Sequence, residues 1–435
     1  MIHFGSVFLG FRMLFRSHAS RKTTRHLVGA VIGIGFSIVP LIAVIEVSGG
    51  MIEGITRRFI EIGSYHLQIK SYSPHTQEEV QKVLKTVSSI PRVERSFPVI
   101  FGEGLVYSPE AKTGVSVRSL PEDYYRNDEG LRRYLSIESG SFTLADRDDA
   151  LLSREVADML QVEPGDRVRL LTARSVPGRA PILRPTVFTV RGIFSTGYYE
   201  LDALSMYIPL RTGEILFEEA GSLVLGVKVD NPYDDIDRLA RDLTTLLPQG
   251  WFVYTWYSLE RPMLESFNTT RNLLIFIMVL IVAVAAVNIS SSMIMLVIEK
   301  EPEIAMLKSM GVSPARISSA FMYTGFFIGI TAVLFGITLG LLAAVNINEL
   351  LSGIEAVAGW TTAMFRTLFI PGSPDISVSM EIFDRSYYLE TIPIRINFID
   401  VFGTAAGTLV LATGAAFFPA RRAGRIKPLE ILRKH

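Results

Sequence analysis

The sequence predicts an α-helical membrane protein with four transmembrane helices and a large α+β domain between helices 1 and 2. Three observations carry this. Hydrophobic residues make up 49% of the 435-residue chain and its mean hydropathy is +0.34, which is unusual for a soluble chain of this size and calls for membrane spans. The apolar residues gather into four long runs, near residues 27–47, 273–298, 321–345 and 398–418. The stretch between the first two, 48–270, alternates strand-like and helix-like patterns instead.

Residues 1–26 pair a weakly amphipathic piece, FGSVFLGFRMLF, with a basic cluster of Arg16, Arg21, Lys22 and Arg25. Arg12 interrupts the first apolar run, which favours an interfacial elbow helix over a signal peptide. In the first span, Gly29 and Gly33 are spaced for close helix contact and Pro40 is a potential kink. Glu46 lies near the far end, where an acid costs less than at a span centre. It reads either as an interfacial carboxylate or as a substrate-sensing group.

In the outer domain, YHLQIKSY (65–72), SLVLGVKV (222–229) and FVYTW (252–256) are strand-like, whereas residues 77–88 and 233–247 suit helices. These pieces can pair as one sheet-and-helix unit split by a strand-rich insertion at 101–211, with turns such as Glu163-Pro164-Gly165-Asp166. Within the insertion, ARSVPGRAPILRP (173–185) holds three prolines, three arginines and a glycine. It reads as an irregular cationic loop, either a solvated connector or a docking element.

The second span carries small and polar positions that suit helix packing. The third and fourth carry glycine pairs, Gly325/Gly329, Gly336/Gly340 and Gly403/Gly407. Four spans put both termini on one side. The N-terminus, the loop at 299–316 and the tail 419–435 hold most basic residues flanking the spans, so that side is cytoplasmic. The domain at 48–270 and a second loop at 346–397 then lie outside.

The loop at 299–316 is the most informative stretch. Pro302 suits a first helical turn, Glu301 and Glu303 suit the positive helix end, and Lys308 sits toward the negative one. Gly311 reads as a C-terminal cap and Ser313-Pro314 as an N-cap followed by the next helix. Ile304, Met306, Leu307 and Met310 give the short helix an apolar side. Such a helix is either a connector on the membrane surface or a coupling knob through which a soluble partner pushes on two membrane helices.

The string VIEKEPEIAMLKSMG, preceded by AVAAVNI, resembles the lipoprotein-releasing permeases of Gram-negative ABC transporters, within the wider macrolide-exporter and cell-division permease class. The tail PARRAGRIKPLEILR and the segment YYLETIPIRI in the second outer loop are similar to that family too. The resemblance implies a bacterial inner-membrane, multi-pass permease subunit without catalytic activity. It would extract lipoproteins from the outer leaflet and hand them to a periplasmic carrier, alongside a second permease subunit, related or identical. The alternative within the class is a mechanotransmitting permease for efflux or for control of a cell-wall hydrolase. Glu303, Ile304, Met306, Leu307, Lys308, Met310 and Gly311 would couple to an ABC ATPase dimer. Glu46, Met51, Ile52 and Ile55, facing Met263, Phe267 and Leu274, would wall the substrate cavity, since methionine and phenylalanine give a deformable apolar lining. Arg174, Pro177, Arg179, Pro181 and Arg184 would dock the carrier.

Composition excludes other classes. A net charge of zero gives no electrostatic support for nucleic-acid binding, and the lack of cysteine removes disulfides, thiolate metal sites and a catalytic thiol. No GxxxxGK[ST] occurs, and the six histidines are scattered without HExxH. ATP and Mg²⁺ are therefore expected on the partner ATPase, with no cofactor or metal on this chain.

Overall fold

The computed structural model describes residues 21–72, 76–174, 182–217, 223–369 and 393–427. Helix α1 (Arg21–Arg58) ends in a π-helical turn, Phe59–Gly63. Helices α2 (Gln77–Ser88) and α3 (Ile236–Leu246) accompany the sheet. Then follow α4 (Arg261–Glu299), α5 (Glu301–Ser309), α6 (Pro314–Val345), α7 (Ile347–Phe369), α8 (Phe398–Ala415) and α9 (Phe417–Arg425). The chain separates into two units, one centred on 52–266 and the other made mainly from the segments on either side of it.

In the helical unit, four helices among the described residues are long and apolar enough to cross a membrane: Val31–Gly63, Arg261–Glu299, Pro314–Val345 and Phe398–Arg425. The 32 residues of α6 reach roughly 48 Å at 1.5 Å each, beyond a bilayer's hydrocarbon core of about 30 Å. Helix α6 is the centre of this unit. A Cβ on Gly336 would lie 2.7 Å from Gly35 O and from Ile38 Cβ, and one on Gly340 2.8 Å from Ile42 Cβ. On another face, a Cβ on Gly329 would lie 3.0 Å from Ala412 Cβ, and Gly325 faces Ala416. The two glycine pairs thus let α6 pack backbone-close on α1 and on α8, around Ile38, Ile42, Phe321, Ile328 and Ala332.

The same spacing does no such work elsewhere. A Cβ on Gly29, Gly33, Gly403 or Gly407 would meet nothing within 4 Å, so these pairs mediate no close helix contact among the described residues. Pro40 sits inside α1, which continues through it. The region at 346–397, expected as a loop, begins with the 23-residue α7. Leu350, Ile354 and Val357 recur there at helical spacing and are exposed, a periodicity that outweighs the helix-weakening Gly353 and Gly359. The YYLETIPI segment and residues 1–20 lie outside the described residues.

The other unit is built on one ten-stranded sheet. Its strands are β1 (Leu67–Ser71), β2 (Val93–Tyr107), β3 (Lys112–Leu120), β4 (Ser136–Gly140) and β5 (Asp149–Ser153), then β6 (Arg167–Arg174), β7 (Ile182–Ser195), β8 (Ser205–Pro209), β9 (Leu223–Val229) and β10 (Trp251–Thr255). The order is β10-β1-β9-β2-β3-β8-β5-β7-β4, with β6 bridging β2 and β7. Strands β1, β9 and β10 are antiparallel neighbours, covered by α2 and α3 over Leu67, Ile69, Val83, Leu225 and Leu243. A reciprocal capping box starts α2: Glu79 N–H donates to Thr76 Oγ1 at 3.3 Å and Thr76 N–H to Glu79 Oε2 at 2.9 Å. The strand-rich region is not a separate sheet. The 15 residues of β2 pair first with β9 and then with β3, carrying one ladder from the first part into the second.

A charged cluster is buried beside the π turn. Lys228 Nζ donates to Glu61 Oε2 at 2.8 Å and to Asp128 Oδ1 at 2.7 Å. His66 Nδ1 accepts from Val229 N–H at 2.8 Å, which leaves Nε2 protonated toward Glu61 Oε1 at 3.4 Å. Further along the sheet, buried Asp202 accepts from Thr196 N–H at 2.9 and 3.0 Å and from Ser195 Oγ at 3.0 Å. Burial still holds its carboxyl above the usual aspartate range, outweighing these hydrogen bonds.

Candidate functional site

The loop between α4 and α6 holds one short helix, α5. Glu301 and Glu303 occupy the first turn of α5 with Pro302 at its start, and Lys300 Nζ donates to Glu303 Oε1 at 2.5 Å. Gly311, at φ +90°, ends the helix, with Val312 N–H donating to Leu307 O at 3.1 Å. That backbone conformation suits glycine because a Cβ would strain it. Ser313 stands at the N-cap position of α6, but only its carbonyl contributes, accepting from Arg316 N–H at 3.0 Å; the side chain makes no cap bond.

The apolar side of α5 divides in two. Ile304 and Ala305 are fully buried, and Ile304 packs in the same core as Leu296, Val297, Ile317, Ala420 and Ala423. Ile304, expected at a partner surface, is therefore part of this chain's own core. Lys308, also expected there, turns inward: its Nζ donates to Gly424 O at 2.8 Å and Ile426 O at 2.6 Å, satisfying carbonyls at the C-terminal end of α9. Glu303, Met306, Met310 and Gly311 face outward, with Met306 56% and Met310 70% exposed, and Leu307 is half-buried. Two large exposed methionines on a short helix anchored from behind make a compact apolar knob.

Helix α9 supplies that anchorage, and the sequence reading missed it by treating 419–435 as a basic tail. Its signal is the small-residue set Ala420, Ala423 and Gly424, all buried, with Gly424 close enough to α6 that a Cβ would lie 2.8 Å from Pro314 O.

A second feature is a cavity of about 390 Å³ between α1, α4 and α8. Leu41 and Ile45 line it from α1, Ile275, Val279 and Val282 from α4, and Asp400, Gly403 and Gly407 from α8. The two bare glycines that pack against nothing thus form part of its wall. Beyond it, Arg271 Nη2 pairs with Asp400 Oδ2 at 2.8 Å, and Asn397 N–H donates to Glu46 Oε2 at 2.8 Å. Glu46 is buried where 393–397 returns to the helices, and its Oε1 has no donor among the described residues. None of Glu46, Met51, Ile52, Ile55, Met263, Phe267 and Leu274 lines this cavity. Its lining on these two helices is Leu41/Ile45 on α1 and Ile275/Val279 on α4, pairs spaced by one turn.

The cationic loop is shorter than expected. Strands β6 and β7 form a hairpin whose register reaches Arg174↔Ile182 and includes Thr172↔Arg184. Arg174 and Arg184 therefore lie on the strands, while Pro177, Arg179 and Pro181 lie outside the described residues. Among the described residues no group of three or more His, Cys, Asp or Glu is placed to hold a metal ion.

Residues 27–246, just over half of the chain, match the family model of the MacB-like periplasmic core domain. The chain belongs to that family. Residues 275–428 match the FtsX-like permease C-terminal, so the permease carries both halves of this class. It is a membrane permease with a MacB-like α+β core domain and membrane-length apolar helices. Among curated relatives, it is 26% identical over 98% of both chains to the lipoprotein-releasing system transmembrane protein LolC of Xylella fastidiosa. It is 26% identical to the LolC protein of Neisseria meningitidis serogroup B, covering 93% of each chain. To the lipoprotein-releasing system transmembrane protein LolE of Haemophilus influenzae it is 24% identical, over 93% of this permease and 94% of that protein.

Proposed function

We propose that this chain is the non-catalytic permease subunit of an ABC transporter in the bacterial inner membrane that releases lipoproteins from the outer leaflet to a periplasmic carrier. The observation that carries the reading is the near end-to-end similarity to transmembrane proteins of lipoprotein-releasing systems. In this reading α1, α4, α6 and α8 span the membrane, both termini are cytoplasmic, and the sheet unit is periplasmic. A separate ATPase dimer binds ATP and Mg²⁺, and a second permease subunit completes the assembly.

The geometry of α5 supports the coupling role. Met306 and Met310 enter a groove of the ATPase, Leu307 borders the contact, and Glu303 and Gly311 lie at its edges. Ile304 and Lys308 act from behind, transmitting displacement of α5 into α4, α6 and α9 through the core they share. Lipid chains enter by the outer ends of α1 and α4, near Met51 and Phe267, and the apolar cavity lies along these same helices.

The test replaces both exposed methionines, Met306→Asp with Met310→Asp, in the assembled transporter. Membrane insertion should be unchanged, because neither side chain is buried. Lipoprotein release per ATP hydrolysed should fall about tenfold or more, as for loss of central apolar anchors in an interface. Normal co-purification with the ATPase together with normal release would remove α5 as the coupling element.

A further inference from the structure

The outward side of α9 and the groove beside it form a site that the transport reading does not use. Helix α9 contains no acidic residue. Its Pro419, Ala420, Ala423 and Gly424 are buried, which leaves Phe417, Arg421 and Arg425, at successive four-residue steps, on the opposite side with Phe418 and Arg422. All three arginines are exposed, and none pairs with an acceptor among the described residues. Phe418 is 76% exposed. At the start of this stripe opens a groove of about 580 Å³ between α6 and α8, lined by Met322, Phe326, Leu409, Val410, Gly414 and Phe417.

We propose that this groove and stripe bind an anionic phospholipid, with an acyl chain along the groove and the phosphate at Arg421 and Arg425. The two halves of the site select this occupant together. Guanidiniums one and two turns from the end of an apolar groove, without a partner among the described residues, present cation and hydrocarbon surface in the order in which a phospholipid presents phosphate and chain. A soluble acidic protein would match the arginines but not the groove, which lies between two helices long and apolar enough to cross a membrane. A neutral lipid would match the groove and leave the arginines without a partner. Phe417 and Phe418, adjoining both, suit the level where headgroups meet chains. A lipid held there would also brace α9, and through the Lys308 bonds to Gly424 and Ile426 it would brace α5.

The experiment is native mass spectrometry of the full chain released from nanodiscs containing equal amounts of phosphatidylglycerol and phosphatidylcholine. The wild-type chain should retain phosphatidylglycerol preferentially. Arg421→Gln with Arg425→Gln should lower that preference about thirtyfold, following the contribution of two surface cations, and Arg421→Lys with Arg425→Lys should keep most of it. Gly414→Leu separates the groove from the charges. A Cβ at Gly414 meets nothing within 4 Å, so the larger side chain fills the groove without a backbone clash and should reduce retained lipid with both arginines in place. Undiminished phosphatidylglycerol in either the double-Gln or the Leu variant overturns the site. Loss of the ATPase from the double-Gln complex with unchanged lipid retention would assign the stripe to protein docking instead.

Discussion

At Lys228 three charges meet almost out of reach of water, with the Lys228 and Asp128 side chains only 7% and 1% exposed and Glu61 23%. Two carboxylates share one ammonium. Asp128 Oδ1 also accepts from Leu131 N–H at 2.8 Å, while its Oδ2 has no partner among the described residues. Removing the cation leaves carboxylates whose burial is no longer compensated, which costs about 3–5 kcal/mol for a buried pair. Lys228→Met, similar in length and uncharged, should therefore lower the unfolding midpoint of the sheet unit by roughly 6–20 °C. Adding Asp128→Asn should restore part of the loss by removing one stranded charge. Thermal unfolding of the purified chain, followed by the fluorescence of Trp251 and Trp256, measures both. A Lys228→Met midpoint equal to wild type would mean that water or rearrangement already compensates these groups. Nothing in SLVLGVKV marks Lys228 as buried, since an isolated lysine in a strand reads as solvent-facing; its partners are about 100 and 167 positions away in the chain.

At the scale of elements, glycine spacing shows what local pattern carries and what it omits. Residues 321–345 were legible as a helix, and Gly325/Gly329 and Gly336/Gly340 as contact points, because length and small-residue periodicity are local properties. The pairs Gly29/Gly33 and Gly403/Gly407 look the same in sequence, yet no neighbour approaches them. Whether a partner helix exists at a given depth is decided by the fold as a whole. The structure makes the difference testable. Gly340→Leu would push a side chain into Ile42 and the carbonyl of Val39, an overpacking cost of about 1–3 kcal/mol. Gly29→Leu meets open space and should be neutral or slightly stabilising, since glycine is a weak helix former. Thermal aggregation of the two variants in detergent compares them directly; equal midpoints would mean that α1 and α6 do not pack this closely. Strand β2 shows the opposite error. The insertion was placed from 101, yet the strand runs straight through that point; Gly102 and Gly104 there are packing slots, with Phe217 lying against Gly102 and Leu170 against Gly104.

At the scale of the whole molecule, the cationic tip between β6 and β7 is the proposed contact with the carrier. Its attachment to a hairpin paired as far as Arg174↔Ile182 confines the loop's ends, so fewer residues need ordering on binding than in a free loop of 173–185. Arg179→Glu with Arg184→Glu should abolish carrier capture in a pull-down with the assembled transporter, while ATPase activity stays unchanged. Wild-type capture should weaken as salt is raised through the range where the Debye length drops below about 10 Å. Full capture by the double-Glu variant would leave the tip as a connector. The membrane character and the short α5 were readable because apolar run length and helix-end chemistry are written locally. The inward turn of Ile304 and Lys308 was not, because it depends on α9, more than a hundred residues later.

The pairing of β1 with β10 governs when the domain can form. Leu67 lies opposite Thr255, about 190 residues later in synthesis, so at 5–20 residues per second β1 waits roughly ten to forty seconds for its outer neighbour. The neighbour on its other side, β9, arrives little sooner. Until β9 is made, Leu67 and Ile69, fully buried once folded, have no native strand beside them. Such long-range pairing makes for slow folding. The first strand made is thus among the last to be completed, and protection of the nascent chain matters most at its beginning.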